Sequence, residues 1–326
     1  MNRIQPDGKV RCEICPRQCT LNDGGLGACK TRAGGGKLPF YGYISSAAVD
    51  PIEKKPLFHY RPGENIFSIG FTGCNMRCPF CQNWHISQTT DTAAQMIPPE
   101  EIITKTTALG LKQIAYTYTE PLIHLEYLID CMTLARARGI ANVLVTNGCV
   151  TPKAAAAIMP LTDAVNVDLK CFSESKYQKI LGGSLSAVKH FIKASSSAGV
   201  HTEITTLIVP DFNDSEQEID RCIDFIASIS NNIPWHISAY HPAYKWTTPP
   251  TKPETILAIK KHAKQKLLYC YTGNIIDDDN DTFCANCDSV LLRRDNYKIK
   301  KLELVKKNED GIYYCGQCGA KTPLQY

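Results

Sequence analysis

The chain lacks the features that mark membrane, secreted and disordered proteins. No stretch approaches the ~18 consecutive apolar residues of a membrane-spanning helix, and the first residues lack the apolar core of a secretory signal. Neither sign of charge dominates, since 36 Lys and Arg stand against 32 Asp and Glu, for a net charge of +4. With 44 % hydrophobic and 21 % charged residues, the chain can bury a sizeable core. We therefore expect a cytoplasmic protein that binds no membrane and whose 326 residues make about two domains.

Cysteine, in contrast, is abundant, with 16 residues in the chain. In a reducing compartment, clustered cysteines indicate metal or redox chemistry rather than disulfides. The five scattered cysteines are expected to be small buried side chains. Three clusters contain the other eleven: Cys12, Cys15, Cys19 and Cys29; Cys74, Cys78 and Cys81; Cys284, Cys287, Cys315 and Cys318.

The middle of the chain alternates between strand and helix patterns. Such repeats predict parallel strands joined by right-handed crossovers, in a full or partial barrel or in an open doubly wound sheet. Helical patterns occupy 98–109, 121–138, 151–159, 184–198 and 215–229, the last with Asp214 or Ser215 as N-cap. The predicted strands are 65–70, 113–118, 141–146, 164–169, 201–208 and 234–239.

Polar residues follow all six predicted strands. In a barrel of parallel strands the carboxyl ends meet at one mouth, where functional residues lie. Polar residues also follow strands in ordinary turns, so no single segment is evidence of a functional site by itself. The segments are 73–75, 118–121, 146–148, 168–170, 210–214 and 240–242.

The central cluster has the spacing C-x3-C-x2-C, at Cys74, Cys78 and Cys81, directly after a predicted strand. A structural zinc site needs four ligands, which only His85 could complete. A 4Fe–4S cluster normally takes four thiolates, so three would leave one iron open to another ligand. S-adenosylmethionine (SAM) can chelate that iron and be cleaved by one electron into methionine and a 5′-deoxyadenosyl radical. The alternative is a zinc knuckle.

The segment Asp50–Ser87, which contains this cluster, resembles the radical SAM member of the AmmeMemoRadiSam system, a relative of pyruvate formate-lyase activating enzymes. The resemblance extends over almost the whole chain, through the segments 118–121, 145–148, 168–170, 207–210 and 240–242. It implies an α/β fold with a partial (β/α)6 TIM-like barrel. We predict a Cys-rich N-terminal module at 1–60, the barrel at 61–275 and a zinc-ribbon-like module at 276–326.

The resemblance also implies roles for single residues. Cys74, Cys78 and Cys81 would bind the 4Fe–4S cluster. Tyr118-Thr119-Glu120 occupies the place of a Gly-Gly-Glu segment whose backbone holds the SAM amino group. Val145 and Thr205 depart from the activating-enzyme pattern, which has an acidic residue and an arginine there. The expected cofactor contacts are Phe80, Tyr118, Thr119, Glu120, Asn147, Asp168, Lys170 and His241.

The C-terminal cysteines form two C-x2-C pairs, at Cys284 and Cys287 and at Cys315 and Cys318. Two such pairs predict a tetrahedral zinc site of the ribbon type. Disulfides and a second iron–sulfur cluster are the alternatives. The hairpin between the pairs is basic, which suits RNA or an acidic partner, although such a run can also be a solvated strand face. Its basic residues are Arg293, Arg294, Lys298, Lys300, Lys301, Lys306 and Lys307.

The N-terminal cysteines have the spacing C-x2-C-x3-C-x9-C, at Cys12, Cys15, Cys19 and Cys29. This spacing does not match a bacterial ferredoxin run. It favours zinc or another structural metal over an auxiliary iron–sulfur cluster or free thiols.

Together these patterns predict a radical SAM oxidoreductase that abstracts hydrogen from an unidentified RNA, protein or small molecule. Activation of a glycyl-radical enzyme is the alternative within that class, and a non-enzymatic zinc-binding adaptor with a nucleic-acid-binding ribbon is the alternative outside it. The chemistry calls for an electron donor such as flavodoxin or ferredoxin. The family implies Memo-like and Amme-type partner proteins.

Overall fold

The computed structural model describes residues 1–5, 8–35, 38–89, 93–277, 279–295, 297–302, 305–308 and 312–326. The side chains of Lys301 and Lys306, in the predicted basic hairpin, lie outside the described part. The chain divides into two compact units. The first contains Met1–Val49, Ile66–Thr202 and Pro242–Thr248, and the second contains Asp50–Asn65, Glu203–His241 and Pro249–Tyr326.

A sheet with strand order β6-β4-β5-β7-β8-β9 forms the core of the first unit. Its strands β5, β7, β8 and β9 pair in parallel. Both faces are buried, as runs such as Ile66–Phe71 show, and this is the usual pattern of a parallel sheet covered by helices. The strands are β4 (Tyr43–Pro51), β5 (Asn65–Phe71), β6 (Gln95–Met96), β7 (Gln113–Thr117), β8 (Ala141–Thr146) and β9 (Ala164–Asp168). Antiparallel β1 (Asn2–Ile4), β2 (Val10–Cys12) and β3 (Thr20–Leu21) precede them.

Helices connect the parallel strands of the first unit, and several begin at polar caps. Thr151 and Ser184 accept hydrogen bonds from the first-turn amides of Ala154 and Ala187. A short π-helical segment, Tyr177–Leu181, ends at Gly182 in the left-handed conformation. The helices are α1 (Trp84–Ser87), α2 (Pro99–Ala108), α3 (Leu125–Ala137), α4 (Pro152–Ile158), α5 (Glu174–Lys176) and α6 (Leu185–Ser197), with 3-10 turns at Pro121–His124 and Met159–Leu161.

The second unit contains the parallel strands β10 (His201–Ile208, from Glu203 on), β11 (Trp235–Ala239) and β12 (Cys270–Gly273). Their helices are α7 (Glu216–Ala227) and α8 (Pro253–Ala263), and a 3-10 turn covers Ile52–Lys54. Antiparallel β13 (Thr282–Phe283), β14 (Val290–Asp295) and β15 (Lys298–Leu302) form one small sheet, and β16 (Val305–Lys307) and β17 (Tyr313–Cys315) form another.

The structure confirms all six predicted strands and the five predicted helices within a few residues. It also confirms Ser215 as the N-cap of α7, since its side chain accepts from the amide of Glu218. Strands β4 and β12 and helix α8 were not predicted. In the described part of the chain, neither the parallel strands of the first unit nor those of the second form a closed barrel. No described helix is both long enough and apolar enough to cross a bilayer.

Candidate metal and cofactor site

The central cysteines lie on a loop that leaves the carboxyl end of β5. We call residues 73–88 the central loop. Gly73 opens it at a φ of +84°, and its amide donates to the carbonyl of Ile86 at 2.9 Å, which closes the loop on itself. Within it, the Cys74 thiol interacts electrostatically with both Cys78 and Cys81. The fold therefore gathers the three thiols at the edge where barrel enzymes carry function.

Two hydrogen bonds are directed at the Cys74 sulfur. The amide of Met76 donates at 3.4 Å and Nδ2 of Asn147 at 3.7 Å. The same Asn147 amide donates to Oδ1 of Asn75 at 2.9 Å. At the other end of the loop, Oγ of Ser87 lies 3.3 Å from the Cys81 sulfur. Donors around a sulfur stabilise its anionic form, which is what a metal ligand requires.

Burial opposes ionisation of two of the central thiols, Cys74 and Cys78. Burial raises the pKa of Cys78 to about 11, against the opposing effect of the Lys170 ammonium. Burial and the Glu120 carboxylate raise the pKa of Cys74 well above its ordinary value. A bound metal would displace these protons, since the thiolate is the ligand.

Three thiols on one loop are a donor set that could hold an iron–sulfur cluster with one iron not bound by the chain, or a single ion with a fourth ligand. Among the described residues, the one set of three or more potential ligands whose donor atoms all lie within 4.8 Å of one another is elsewhere, at the C-terminal cysteines. The three central thiols do not meet that condition.

Glu120, which the sequence analysis places near the cofactor, fixes the backbone around it. Its carboxylate is fully buried and accepts from the amide of Leu122 at 3.0 Å, from Oγ1 of Thr146 at 2.6 Å and from the amide of Asn147 at 2.7 Å. Burial raises the pKa of Glu120 to about 7. Glu120 thus fixes the end of β8, and with it Asn147, relative to the end of β7.

Tyr118 adopts the left-handed conformation, with a φ of +66°. This region suits glycine and is strained for a tyrosine, and it explains why glycine suits the same place in the resembling family. The carbonyl of Tyr118 accepts from Nδ2 of Asn83 at 2.7 Å, and Oγ1 of Thr119 donates to the carbonyl of Phe71 at 3.0 Å. These bonds tie the turn after β7 to the central loop and to β5.

Asp168 and Lys170 form an ion pair after β9, with Nζ and Oδ2 3.2 Å apart. Burial lowers the pKa of Lys170, but the Asp168 carboxylate and the thiols of Cys78 and Cys81 outweigh it and raise that pKa. The ammonium is therefore charged and electrostatically coupled to the central thiols. A charged lysine beside a cluster is suited to an anionic group of a cofactor.

Two aromatic side chains that the sequence did not single out, Tyr244 and Trp246, pack against aromatic residues of the central loop. Phe80 is buried and packs edge-on against Trp246, with ring centroids 6.0 Å apart. Trp84 stacks on Tyr244 at 5.3 Å. The amide of Lys245 also donates to the carbonyl of Pro79 at 2.9 Å. Segment 242–248 thereby shields one side of the loop.

The remaining predicted contact, His241, lies in the second unit and is exposed. Thr205 belongs to the same unit, in β10. The first unit thus brings together the three cysteines, Phe80, residues 118–120, Asn147, Asp168 and Lys170. The roles of all these residues toward a cofactor stay predictions.

The C-terminal thiol set places four sulfur atoms within 4.8 Å of one another, those of Cys284, Cys287, Cys315 and Cys318. The Sγ atoms of Cys284 and Cys318 are 3.7 Å apart, as are those of Cys287 and Cys315. Each C-x2-C pair forms a knuckle of the same shape. The amide of Asp288 donates to the carbonyl of Cys284 at 2.9 Å, and the amide of Gly319 donates to the carbonyl of Cys315 at 2.9 Å. The set fits one metal ion.

Comparisons with known proteins show what this chain is similar to. The radical SAM superfamily model matches residues 68–226. An uncharacterized protein of Methanocaldococcus jannaschii, MJ0808, is 36 % identical over 329 residues, which cover 98 % of this chain and 96 % of that protein. The pyruvate formate-lyase-activating enzyme of Clostridium pasteurianum is 27 % identical over 184 residues, or 53 % of this chain and 74 % of that enzyme.

Solved structures are similar over shorter lengths or at lower identity. A domain of the pyruvate formate-lyase-activating enzyme of Bacteroides vulgatus covers 49 % of this chain and 98 % of its own, at 20 % identity and a TM-score of 0.44. Streptococcus suis SuiB bound to S-adenosylmethionine covers 62 % of this chain and 48 % of its own, at 14 % identity and a TM-score of 0.49.

Proposed function

The chain belongs to the radical SAM superfamily, and on that premise we propose that its central loop holds a 4Fe–4S cluster with one iron left to SAM. When both are bound, the chemistry they supply is transfer of one electron to the sulfonium, which releases methionine and a 5′-deoxyadenosyl radical that takes hydrogen from a substrate C–H bond. Three coupled thiols with two hydrogen bonds directed at the Cys74 sulfur are the observation that carries this proposal.

The protein's own groups provide position, charge and shielding. Lys170 supplies a positive charge for the SAM carboxylate, and Asp168 orients that lysine. Asn147 holds both Cys74 and Asn75, while Glu120 fixes Asn147. Phe80 and Trp246 exclude water from one side of the loop, which protects a reactive radical. His241 is proposed as a further contact of the nucleoside.

The C-terminal thiol set is proposed to bind zinc. Four thiolates at ~2.3 Å from a tetrahedral ion have sulfur–sulfur edges of about 3.8 Å. The two Sγ–Sγ distances of 3.7 Å match that geometry without any rearrangement. The amide of Ala320 and the side chain of Asn286 lower the pKa of Cys318 to about 6, which favours a thiolate there. A closed set of four leaves no position for catalysis, so this zinc is structural.

The substrate is proposed to be an RNA, a protein side chain or a small molecule rather than a glycyl-radical enzyme. Val145 and Thr205 stand where the activating enzymes have an acidic residue and an arginine, which weakens transfer of their substrate mode. Lys298 and Lys300 on the β14–β15 hairpin favour an acidic partner, RNA included, whereas Arg294 is buried and donates to protein groups, so it does not belong to that basic surface. A flavodoxin or ferredoxin is the proposed reductant, and Memo-like and Amme-type proteins the proposed pathway partners.

The test is anaerobic reconstitution with iron and sulfide, followed by dithionite and SAM. We expect 5′-deoxyadenosine from the wild type and at least a 100-fold lower rate from Cys78→Ala. Cys222→Ala is the matched control, since Cys222 is a buried cysteine of α7 outside all three sets. Full activity in Cys78→Ala would refute the proposal, and a glycyl-radical signal in a co-expressed partner would reverse the substrate preference.

A further inference from the structure

Three exposed cationic side chains lie against the central loop, and all three belong to the first unit: Arg17, Lys30 and Arg77. Nε of Arg17 donates to the carbonyl of Asn75 at 3.2 Å, and Nζ of Lys30 donates to the carbonyl of Gln88 at 2.7 Å. Arg77 is itself a residue of the loop. Positive charge is therefore held at the loop backbone near its start and at its end.

The two arginines converge on one glycine. Gly182 ends the π-helical segment in the left-handed conformation, with a φ of +69°. A Cβ on Gly182 would clash with a terminal nitrogen of Arg17 and would lie 3.1 Å from Nε of Arg77. The amide of Arg77 also donates to the carbonyl of Leu181 at 2.8 Å, which fastens this turn to the central loop. Glycine at this position therefore leaves room for two guanidinium groups side by side.

Lys30 is linked to the same part of the loop. The side-chain amide of Gln88, whose carbonyl accepts from Lys30, donates to the carbonyl of Met76 at 3.1 Å, and Met76 precedes Arg77. Among the described residues, no carboxylate forms an ion pair with any of the three cations. The two neighbouring arginines repel each other, and an anion bound beside them would relieve that repulsion.

A cavity of about 350 Å³ adjoins these groups. Arg17, Asn75, Gln178 and Ser184 are among its polar lining residues. The described residues that line it include no carboxylate and no aromatic ring on which a nucleic-acid base could stack. The cavity is therefore suited to a carboxylate of a partner protein rather than to a cation or a base.

We propose that Arg17, Lys30 and Arg77, which we call the cationic face, bind the acidic electron-transfer protein that reduces the group held by the central loop; this rests on the proposed function. The donor protein loses one electron, and the group on the loop gains it. Binding at the cationic face brings the donor directly against the loop backbone. Complementary charge raises the association rate of two proteins and fixes their orientation.

The first experiment measures, by calorimetry, the Kd of flavodoxin and of ferredoxin for the full-length chain. At low salt Arg17→Glu should weaken binding at least about 10-fold, and added salt should weaken binding to the wild type because it screens exposed charges. A wild type that binds neither donor, or an Arg17→Glu chain with the Kd of the wild type, would overturn the inference.

The matched control is Arg138→Glu, which makes the same charge change at another exposed arginine of the first unit. Arg138 directly follows α3 and precedes β8, so it lies toward the amino end of the parallel strands, whereas the central loop follows the carboxyl end of β5. Arg138→Glu should bind flavodoxin as the wild type does. Arg17→Gln removes the charge but keeps a hydrogen-bond donor, and should weaken binding by about 3-fold to 10-fold even where Arg17→Glu fails to fold.

A second experiment compares two reductants in SAM cleavage. Arg17→Glu should raise the KM for reduced flavodoxin at least about 10-fold, yet stay within about twofold of the wild type with dithionite, a small reductant that needs no protein surface. Equal loss with both reductants would show that Arg17 only supports the loop.

Two further results separate this inference from its rivals. A wild type that binds flavodoxin but does not cleave SAM with dithionite would count against the proposed function and leave the cationic face in place as a binding surface. Bulk transfer RNA that binds the wild type but not Arg17→Glu, with an unchanged Kd for flavodoxin, would assign the face to nucleic acid and overturn the inference.

Discussion

The C-terminal thiol set and the central loop both use cysteine side chains, but they arrange them for opposite purposes. The first brings four sulfurs within 4.8 Å of one another, with two pairs 3.7 Å apart, on two knuckles of matching backbone. The second spreads three sulfurs over one loop and surrounds them with amides, a hydroxyl and a lysine. A metal whose coordination the chain completes stabilises the fold, whereas one left incomplete is available for chemistry.

The largest effect should come from opening the closed set. Cys318 is exposed, so Cys318→Ser removes a ligand with little loss of packing. Zinc should fall from one per chain to under about a tenth, and residues 282–322 should become sensitive to protease, because structural zinc contributes roughly 10 kcal/mol to the folding of small modules. SAM cleavage should stay within about twofold of the wild type. Full zinc content in Cys318→Ser would contradict the conclusion that the C-terminal thiol set is a closed site of four thiolates.

The next effect concerns the entry to the central loop. Gly73→Ala places a Cβ 2.5 Å from the Cys29 carbonyl, in a left-handed backbone. Gly110→Ala is the matched control, since Gly110 has a φ of +69° and open space around it. The control should cost about 1 kcal/mol of unfolding free energy, and Gly73→Ala about 3 kcal/mol with loss of iron. Equal costs in urea unfolding would show that the contact is unimportant.

A pH effect of similar size should come from His124, which is buried, stacks on Phe71 at 4.9 Å and bonds the Thr72 carbonyl at 2.9 Å. Burial lowers its pKa from 6.5 to about 4. The neutral ring thus contributes stability that is present above about pH 6.5 and lost as pH falls through about 4, up to about 3 kcal/mol.

His124→Gln keeps a donor but cannot titrate, so its melting temperature should fall less between pH 7 and pH 4.5 than that of the wild type. His190→Gln, at an exposed position of α6, is the control and should behave as the wild type. Parallel melting curves for all three chains would contradict the role of His124.

The smallest effect should come from Asn147, which contacts the Cys74 sulfur but is not a metal ligand. Asn147→Ala removes the donor 3.7 Å from Cys74 and should lower SAM cleavage by about 10-fold to 100-fold. The cluster's reduction potential should shift, which a merely structural role would not produce. Asn231→Ala, on the surface of the second unit, is the control. An unchanged potential would show that Asn147 acts only on the backbone.

The sequence predicted the strands and the positions of the thiols well, because both follow from local patterns. Buried parallel strands are continuous apolar runs, and cysteine spacing needs no tertiary information. The directions in which side chains point could not be predicted from the sequence. Glu120 lies in a segment expected to hold a cofactor, yet its carboxylate accepts from Thr146 and Asn147, 26 and 27 positions away. Such pairing depends on how two strands align in the sheet.

Other parts of the site arise from contacts that no short pattern contains. Asn75 and Asn147 meet across 72 positions, and Trp246 reaches Phe80 from far along the chain. The strand β12 has only four residues, too few for a reliable alternation of polar and apolar residues.

The left-handed turn at Tyr118 links two positions on neighbouring strands. A Cβ on Gly70 would lie 2.7 Å from Cδ2 of Tyr118 and 2.3 Å from Oγ of Ser46, so the phenol ring fills the room that Gly70 leaves empty. Shortening residue 118 to glycine would relieve the turn, but a side chain at residue 70 would also require the Ser46 hydroxyl to turn away. A substitution at Gly70 therefore depends on two neighbours, one on β4 and one in the turn after β7.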